Sequence, residues 1–377
     1  MLRHSYTKST LNDAGSSSGR SLGFSNNYMY MPSTTNSTSL ELKSNLAGMS
    51  NSLIISTTFV RDDRDPKGSS FPAIRIKDGS GTIYLGSEPY STANQLNQDI
   101  LTITDNFQIY KGTHTITLGM NHEFSKAYNL FMRKNFGEYR FEDMSRFMSG
   151  LAYQYERGYS LVDDITGDGS AAADFSMIQL GFYAQDEFQV NKNFKLTYGV
   201  RMDMPIFATD PMVDDHFNST TIPVLEAAGW DMDGVEAGKM PEPQMLFSPR
   251  VGFNWDVIGD KSTQVRGGVG IFTSRLPLVW PGGSYSNNGL AIGGVYQQRP
   301  YWSGVAPDIV FNSQWDDQYF NSDFGSTDDP YGGQVDLFVS DFKFPQMFRA
   351  ELTWYFPYFT VHSGIIIRFC SNRNSNL

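Results

Sequence analysis

Residues 178–203, IQLGFYAQDEFQVNKNFKLTYGVRMD, constrain the fold more than any other part of the chain. Ile178, Leu180, Phe182, Ala184, Phe188 and Val190 share one parity, and Gln179, Tyr183, Gln185, Glu187 and Gln189 share the other. Such period-2 alternation belongs to a strand with one apolar and one polar face. Beyond Asn191-Lys192-Asn193 it resumes, with Phe194, Leu196, Tyr198, Val200 and Met202 on one side and Lys195, Thr197, Gly199, Arg201 and Asp203 on the other. The segment is expected to be a hairpin closed by a short polar turn. Strands of about ten residues exceed the usual five or six and match what a tilted strand needs to cross bilayer hydrocarbon. Asp186 falls on the apolar face. Close to the turn such a charge costs about 0–1 kcal/mol, against several at mid-bilayer.

Two further hairpins follow the same rule. Residues 100–110 and 113–124 flank Lys111-Gly112, and residues 251–257 and 264–271 flank IGDKS, with Val251, Phe253, Trp255 and Val257 opposite Arg250, Asn254 and Asp256. The first strands are expected at 38–44 and 52–61, followed by a loop, DDRDPKGSS. The connections between hairpins are long: 125–176, 204–246 and 273–347 are read as loops. Long loops alternating with minimal turns are the pattern of an outer-membrane barrel, with the loops outside. In a soluble domain they would count against the strands. Alternation alone also fits a soluble sandwich. Strand length and loop asymmetry favour an all-β, antiparallel transmembrane barrel, incomplete in this chain, with about 10–12 long strands.

Composition excludes other classes. No apolar run reaches the length of about eighteen residues that a membrane helix requires, and sustained helical periodicity is missing. The single cysteine, Cys370, permits no intramolecular disulfide or cysteine metal cluster. A net charge of −11 argues against nucleic acid as a partner.

GFYAQDEFQV, a short turn and FKLTYGVRMD resemble the strand-turn-strand signature of TonB-dependent outer-membrane receptors, in which Y-x-Q-D-E is followed by L-T-x-G-x-R-x-D. HTITLGMNHEFSKAYNLFMRKNFGEYRF from His114, YSLVDDITGDGSAAADF from Tyr159 and FSPRVGFNWDV from Phe247 resemble the barrel of Oar-like receptors, which carry a carboxypeptidase-regulatory-like domain at their N-terminus. The resemblance runs from about residue 40 to residue 349. It implies a barrel of about twenty-two strands, of which this chain holds a part. It also implies a place in the outer membrane and energy-coupled uptake of a large solute: a peptide, a glycan or a metal chelate. The implied partners are outer-membrane lipid, the TonB complex through a plug domain absent from this chain, and a surface lipoprotein. No enzymatic activity is expected. The alternative function is a soluble or surface-attached binding or adhesion module.

On this view residues 1–37 are a poorly defined segment without a signal peptide, 38–350 are partial barrel, and 351–377 are an aberrant tail. In that tail Pro357 interrupts a strand and a polar end replaces the family's terminal aromatic, so the chain is expected to be a fragment or a shifted frame.

Little chemistry is encoded. His4, His114, His122, His216 and His362 are scattered, and no nucleophile elbow, Walker loop, CxxC or HExxH occurs. Asp163, Asp164, Asp168 and Asp174 cluster hard oxygen ligands among glycines, which suits Ca²⁺ as a structural cofactor. Because the spacing is not that of an EF-hand, a solvated acidic loop is the plainer expectation. Solute contact is expected from polar lumen residues and outer loops. The candidates are Arg201, Asp203, Trp280, Tyr285, Tyr296, Tyr301 and Trp302, against a lumen charge network for the first two and loop packing for the aromatics.

Overall fold

The computed structural model describes residues 1–13, 17–162, 171–298, 309–324, 334–356 and 359–369, with 356 and 359–369 described as backbone alone. Strands are numbered β1 to β19 in chain order. Eleven of them form one antiparallel sheet: β1 (Leu2–Asp13), β3 (Met29–Leu46), β4 (Met49–Pro66), β7 (Asn94–Lys111), β8 (His114–Phe131), β12 (Ala173–Asn191), β13 (Phe194–Phe207), β14 (Leu246–Asp256), β15 (Gln264–Thr273), β18 (Gln346–Phe356) and β19 (Phe359–Phe369). Each pairs with the next in that order, leaving β1 and β19 as edges. This is a partial barrel wall, as the alternation predicts.

All three expected hairpins form, and their strands are longer than the clean alternation indicates. β7 and β8 run for 18 residues each. The apolar parity is the exposed one: Phe182, Tyr198, Val200, Val251, Trp255 and Val269 are each more than 40% exposed, although they sit in the middle of a large sheet. Exposed apolar surface on this scale is what a lipid-facing wall requires. Asp186 is resolved by its neighbours: its Oδ2 accepts hydrogen bonds from His114 Nδ1 at 2.7 Å and Tyr198 Oη at 2.8 Å, and His114 stacks on Phe188 with centroids 4.3 Å apart. The charge on the apolar face is thus shared across β8, β12 and β13 near the short-turn end.

The sheet extends past both ends of the span that alternation marks out. β1 pairs with β3 over its whole length, yet LRHSYTKSTLND is exposed throughout, and a strand that buries neither face shows no periodicity. At the other end, β18 stops at Phe356, just before Pro357, and β19 pairs back along it. Proline is compatible with a strand boundary and not with a central ladder position.

The long connections depart most from expectation. All of them leave the end opposite the short turns, and they build a second, six-stranded sheet: β16 (Ile292–Gln298), β11 (Gln154–Ser160), β9 (Glu138–Phe141), β5 (Ala73–Asp78), β6 (Gly81–Leu85) and β2 (Ser21–Gly23), in that order. The segment read as a loop after residue 61 is partly β4. A small ladder joins β10 (Leu151–Ala152) to β17 (Ile309–Val310). Short helices α1 (Met144–Met148), α2 (Ile222–Ala227) and α3 (Val279–Ser286) complete this outer layer. Its core is aromatic: Tyr139, Phe141 and Tyr155 are fully buried against Phe311, Tyr319 and Phe324. Arg157, on β11, holds the returning segment by donating to the carbonyls of Asn135 and Gln318.

Candidate functional site: the outer rim and the polar wall

Two regions carry concentrated polar chemistry. The first lies where the outer sheet meets the ends of the barrel strands. On β9 and β11, cross-strand pairing sets Glu138 opposite Glu156 and Arg140 opposite Gln154, all on one face, with Tyr139 opposite Tyr155 on the other. Glu138 is 1% exposed. One of its oxygens pairs with Arg75, the other with Lys134 Nζ at 2.9 Å and Arg140 Nη2 at 3.0 Å. Lys134 also pairs with Glu156; it sits in the turn before β9 with φ +57°, a backbone region that non-glycine residues seldom occupy. Burial alone would raise the Glu138 carboxyl; the Arg75, Lys134 and Arg140 cations outweigh it and hold it below its ordinary value.

This network borders a cavity of about 340 Å³ at the rim, lined by Asn27, Met29 and Arg64 from the β3 and β4 side and by Arg75, Tyr84 and Tyr90 from the outer layer. Arg75 lies over the Tyr84 ring at 5.5 Å. Tyrosine faces beside guanidinium groups suit a polar solute with an apolar body. None of these lining residues stood out in the sequence. The signal that remained was Glu138 and Arg140 alternating with Tyr139 and Phe141 inside an expected loop.

The second region is the polar face of the large sheet, the lumen side of a barrel. Arg201 and Asp203, candidates for solute contact, lie there and hold each other in a two-pronged ion pair, the charge network set against that role: Arg201 Nε lies 2.9 Å from each Asp203 oxygen and Nη2 lies 2.7 Å from Oδ1. The Arg201 guanidinium rests over Tyr183 at 5.6 Å, and Tyr183 Oη donates to Asn106 Oδ1 at 2.5 Å. Two glycines make room: a side chain at Gly119 would collide with the Tyr183 ring, and one at Gly181 with the Arg201 guanidinium. A cavity of about 360 Å³ opens here, bounded by Thr104, Asn121, Tyr183, Gln185, Arg201 and Arg250.

The outer aromatics divide. Trp280, on α3, and Tyr296, on β16, are 65% and 60% exposed on the outer layer. Tyr285 corrects its expectation: at 7% exposure it stacks on Phe175 with centroids 4.5 Å apart, and its hydroxyl donates to the Thr209 carbonyl at 2.5 Å. Burial pushes the phenol up to about 12. It packs the outer layer onto β12. Tyr285→Phe is expected to cost about 1 kcal/mol, the ordinary net value of one hydrogen bond, read as a lower urea midpoint. Tyr301 and Trp302 lie outside the described residues. So do Asp163, Asp164 and Asp168, and Asp174 pairs with Lys126 at 3.2 Å. Among the described residues no group of three or more potential metal ligands occurs.

The family model for an outer membrane beta barrel domain matches residues 3–301. The chain belongs to this family of outer-membrane β-barrel domains, and its location is the outer membrane. Among solved structures it is similar to the outer membrane transporter YddB from Escherichia coli, with a TM-score of 0.53 and 12% identity over 94% of this chain and 35% of that one. It is also similar to the ferric yersiniabactin uptake receptor FyuA from Yersinia pestis, with a TM-score of 0.35 and 9% identity over 87% of this chain and 36% of that one. The siderophore receptor PiuA from Acinetobacter baumannii gives a TM-score of 0.33 and 12% identity over 94% of this chain and 50% of that one. At these identities the YddB likeness speaks to the fold alone. The chain spans between about a third and a half of the length of these proteins. No curated protein matches the sequence.

Proposed function

We propose that this chain forms part of the barrel wall and outer rim of a TonB-dependent outer-membrane transporter of the Oar-like kind. Such a transporter takes up a peptide, glycan or metal chelate too large for porins and catalyses no reaction. The observation that carries this reading is the polarity of the molecule along its strands. One end holds only short turns. The other gathers the described parts of the long connections into a folded layer with a cavity at the rim, above a wall whose apolar face is exposed and whose polar face is furnished with arginines. Such a layer is where a solute meets the transporter first, and a polar lumen wall is where it passes. The partners on this reading are lipid against the apolar face, the TonB complex acting through a plug domain, and a surface lipoprotein over the outer layer.

Fractionation and uptake test it together. The receptor carrying this chain is expected in the outer-membrane fraction, and uptake of its solute is expected to stop when the TonB complex is deleted. Recovery in the soluble periplasm, or uptake indifferent to TonB, would reverse the proposal. Trp280→Ala with Tyr296→Ala is expected to lower surface binding of the solute severalfold while the amount of receptor in the membrane stays constant. Unchanged binding would remove these two rings from the contact surface.

A further inference from the structure

The polar wall holds two further cations beside the Arg201–Asp203 pair; Arg250 lies near enough to feel both charges of that pair, but no salt bridge joins it to Asp203. Arg250 on β14 and Arg349 on β18 fall in one cross-strand row, each directly paired with Gly270 of β15 between them. Phe272, two residues along on the same face, lies under both: the Arg250 guanidinium is 4.6 Å and the Arg349 guanidinium 5.6 Å from its ring centroid. Both arginines are exposed. Among the described residues neither has a carboxylate within ion-pair distance. Two carboxylates share this face: Asp203, which is paired with Arg201, and Glu351, two residues from Arg349, which accepts from Thr353 Oγ1 at 3.3 Å. In a chain of net charge −11, carboxylates are plentiful, yet among the described residues Arg201, Arg250 and Arg349 here face only Asp203 and Glu351, a local excess of positive charge.

The surroundings are shaped for an occupant. Gly252, Gly268 and Gly270 share the face between the two arginines and leave a floor with no side chains. At Gly270 a Cβ would press within 3.0 Å of Arg250 and 3.3 Å of the Phe272 ring. Arg250 also borders the 360 Å³ cavity, which is within the size range of small-molecule sites. Stacking on Phe272 orients the planar guanidinium groups and reduces the freedom lost when they bind. The rigid fork of arginine matches carboxylate and phosphate geometry. Lipid is not the occupant, because this face is opposite the apolar one.

We propose that Arg250 and Arg349, seated on either side of Phe272, form an anion site on the lumen wall that engages a carboxylate or phosphate group of the passing solute. The proposal rests on the transporter reading and narrows its solute to one carrying an anionic group.

The test uses the full chain in detergent at low ionic strength, titrated calorimetrically with citrate and, separately, with inorganic phosphate. Binding is expected to weaken with added salt, and the stronger of the two anions assigns the group. Arg250→Gln with Arg349→Gln is expected to weaken binding at least tenfold, and Arg250→Lys with Arg349→Lys by less, because charge is kept and the fork is lost. A wild-type chain that binds neither anion, or a double glutamine variant that binds as wild type does, overturns the proposal. A second measurement needs no variant: phenylglyoxal modification mapped by mass spectrometry is expected to slow at Arg250 and Arg349 when the preferred anion is present. Equal rates with and without anion overturn the site. So does full protection in the intact receptor without any anion, since a protein segment would then be the occupant. None of these readouts measures location or uptake, so the anion site can fail while the transporter reading stands.

Discussion

Glu138→Ala is expected to destabilise the outer layer by about 3–5 kcal/mol, the cost of removing one partner from a buried ion network. The carboxylate is almost fully buried and serves three cations, Arg75, Lys134 and Arg140. Without it Lys134, itself 6% exposed, keeps only Glu156, while Arg75 loses its ion-pair partner. Amide hydrogen exchange in detergent is the suitable measurement, because the layer can open while the large sheet persists. Protection on β5, β9 and β11 should fall by a factor of more than a hundred, with β7 and β8 unchanged. A loss below 1 kcal/mol would show that the network is solvated and the outer sheet held by its aromatic core alone.

The same carboxylate sets an acid dependence. Its folded value lies below the ordinary 4.5, so the unfolded layer binds the proton more readily. Stabilisation is complete above pH 4.5, and it is lost as the pH falls through the folded value. Protection of β9 should therefore decline on acidification, and the Glu138→Gln variant should not show this decline. A decline of equal size in both proteins would assign the acid sensitivity to another group.

How much was legible follows from which surfaces each strand presents. β12 and β13 carry an apolar face on one side and a polar face on the other, so period-2 alternation exposes them at once, along with the shared polar parity of Arg201 and Asp203. β1 is exposed on both faces and β11 is buried on nearly every residue, and neither condition writes an alternation into the sequence. β9 does alternate, but only over four residues, and its polar face is buried by ion pairs, so it reads as solvated loop. Tyr285 and Tyr296 were indistinguishable by residue type. Only packing separates the ring stacked on Phe175 from the one standing in solvent. Arg250 was visible on the polar parity of its strand, whereas its relation to Arg349 depends on β18 pairing with β15 across more than seventy residues, a contact that no local pattern encodes.

The apolar parity makes the strongest demand on the environment, and Val251→Arg tests it. Val251 and its direct cross-strand partner Val269 are 49% and 48% exposed, five residues from the turn end of β14, where a tilted strand is near mid-bilayer. A guanidinium placed there must leave water for hydrocarbon or drag water in with it, at about 2–4 kcal/mol. Asn254→Arg is the matched comparison, because it adds the same side chain three residues on but on the polar parity, where water already reaches it. In lipid vesicles, denaturant titration is expected to lower the folding free energy of Val251→Arg by that amount and to leave Asn254→Arg within about 0.5 kcal/mol of wild type, as for a surface substitution. In a detergent-free aqueous buffer Val251→Arg should be the more soluble of the two, since it interrupts an exposed apolar stripe. Equal costs in vesicles would mean that both faces of the sheet meet water, and the wall would then not be a membrane wall.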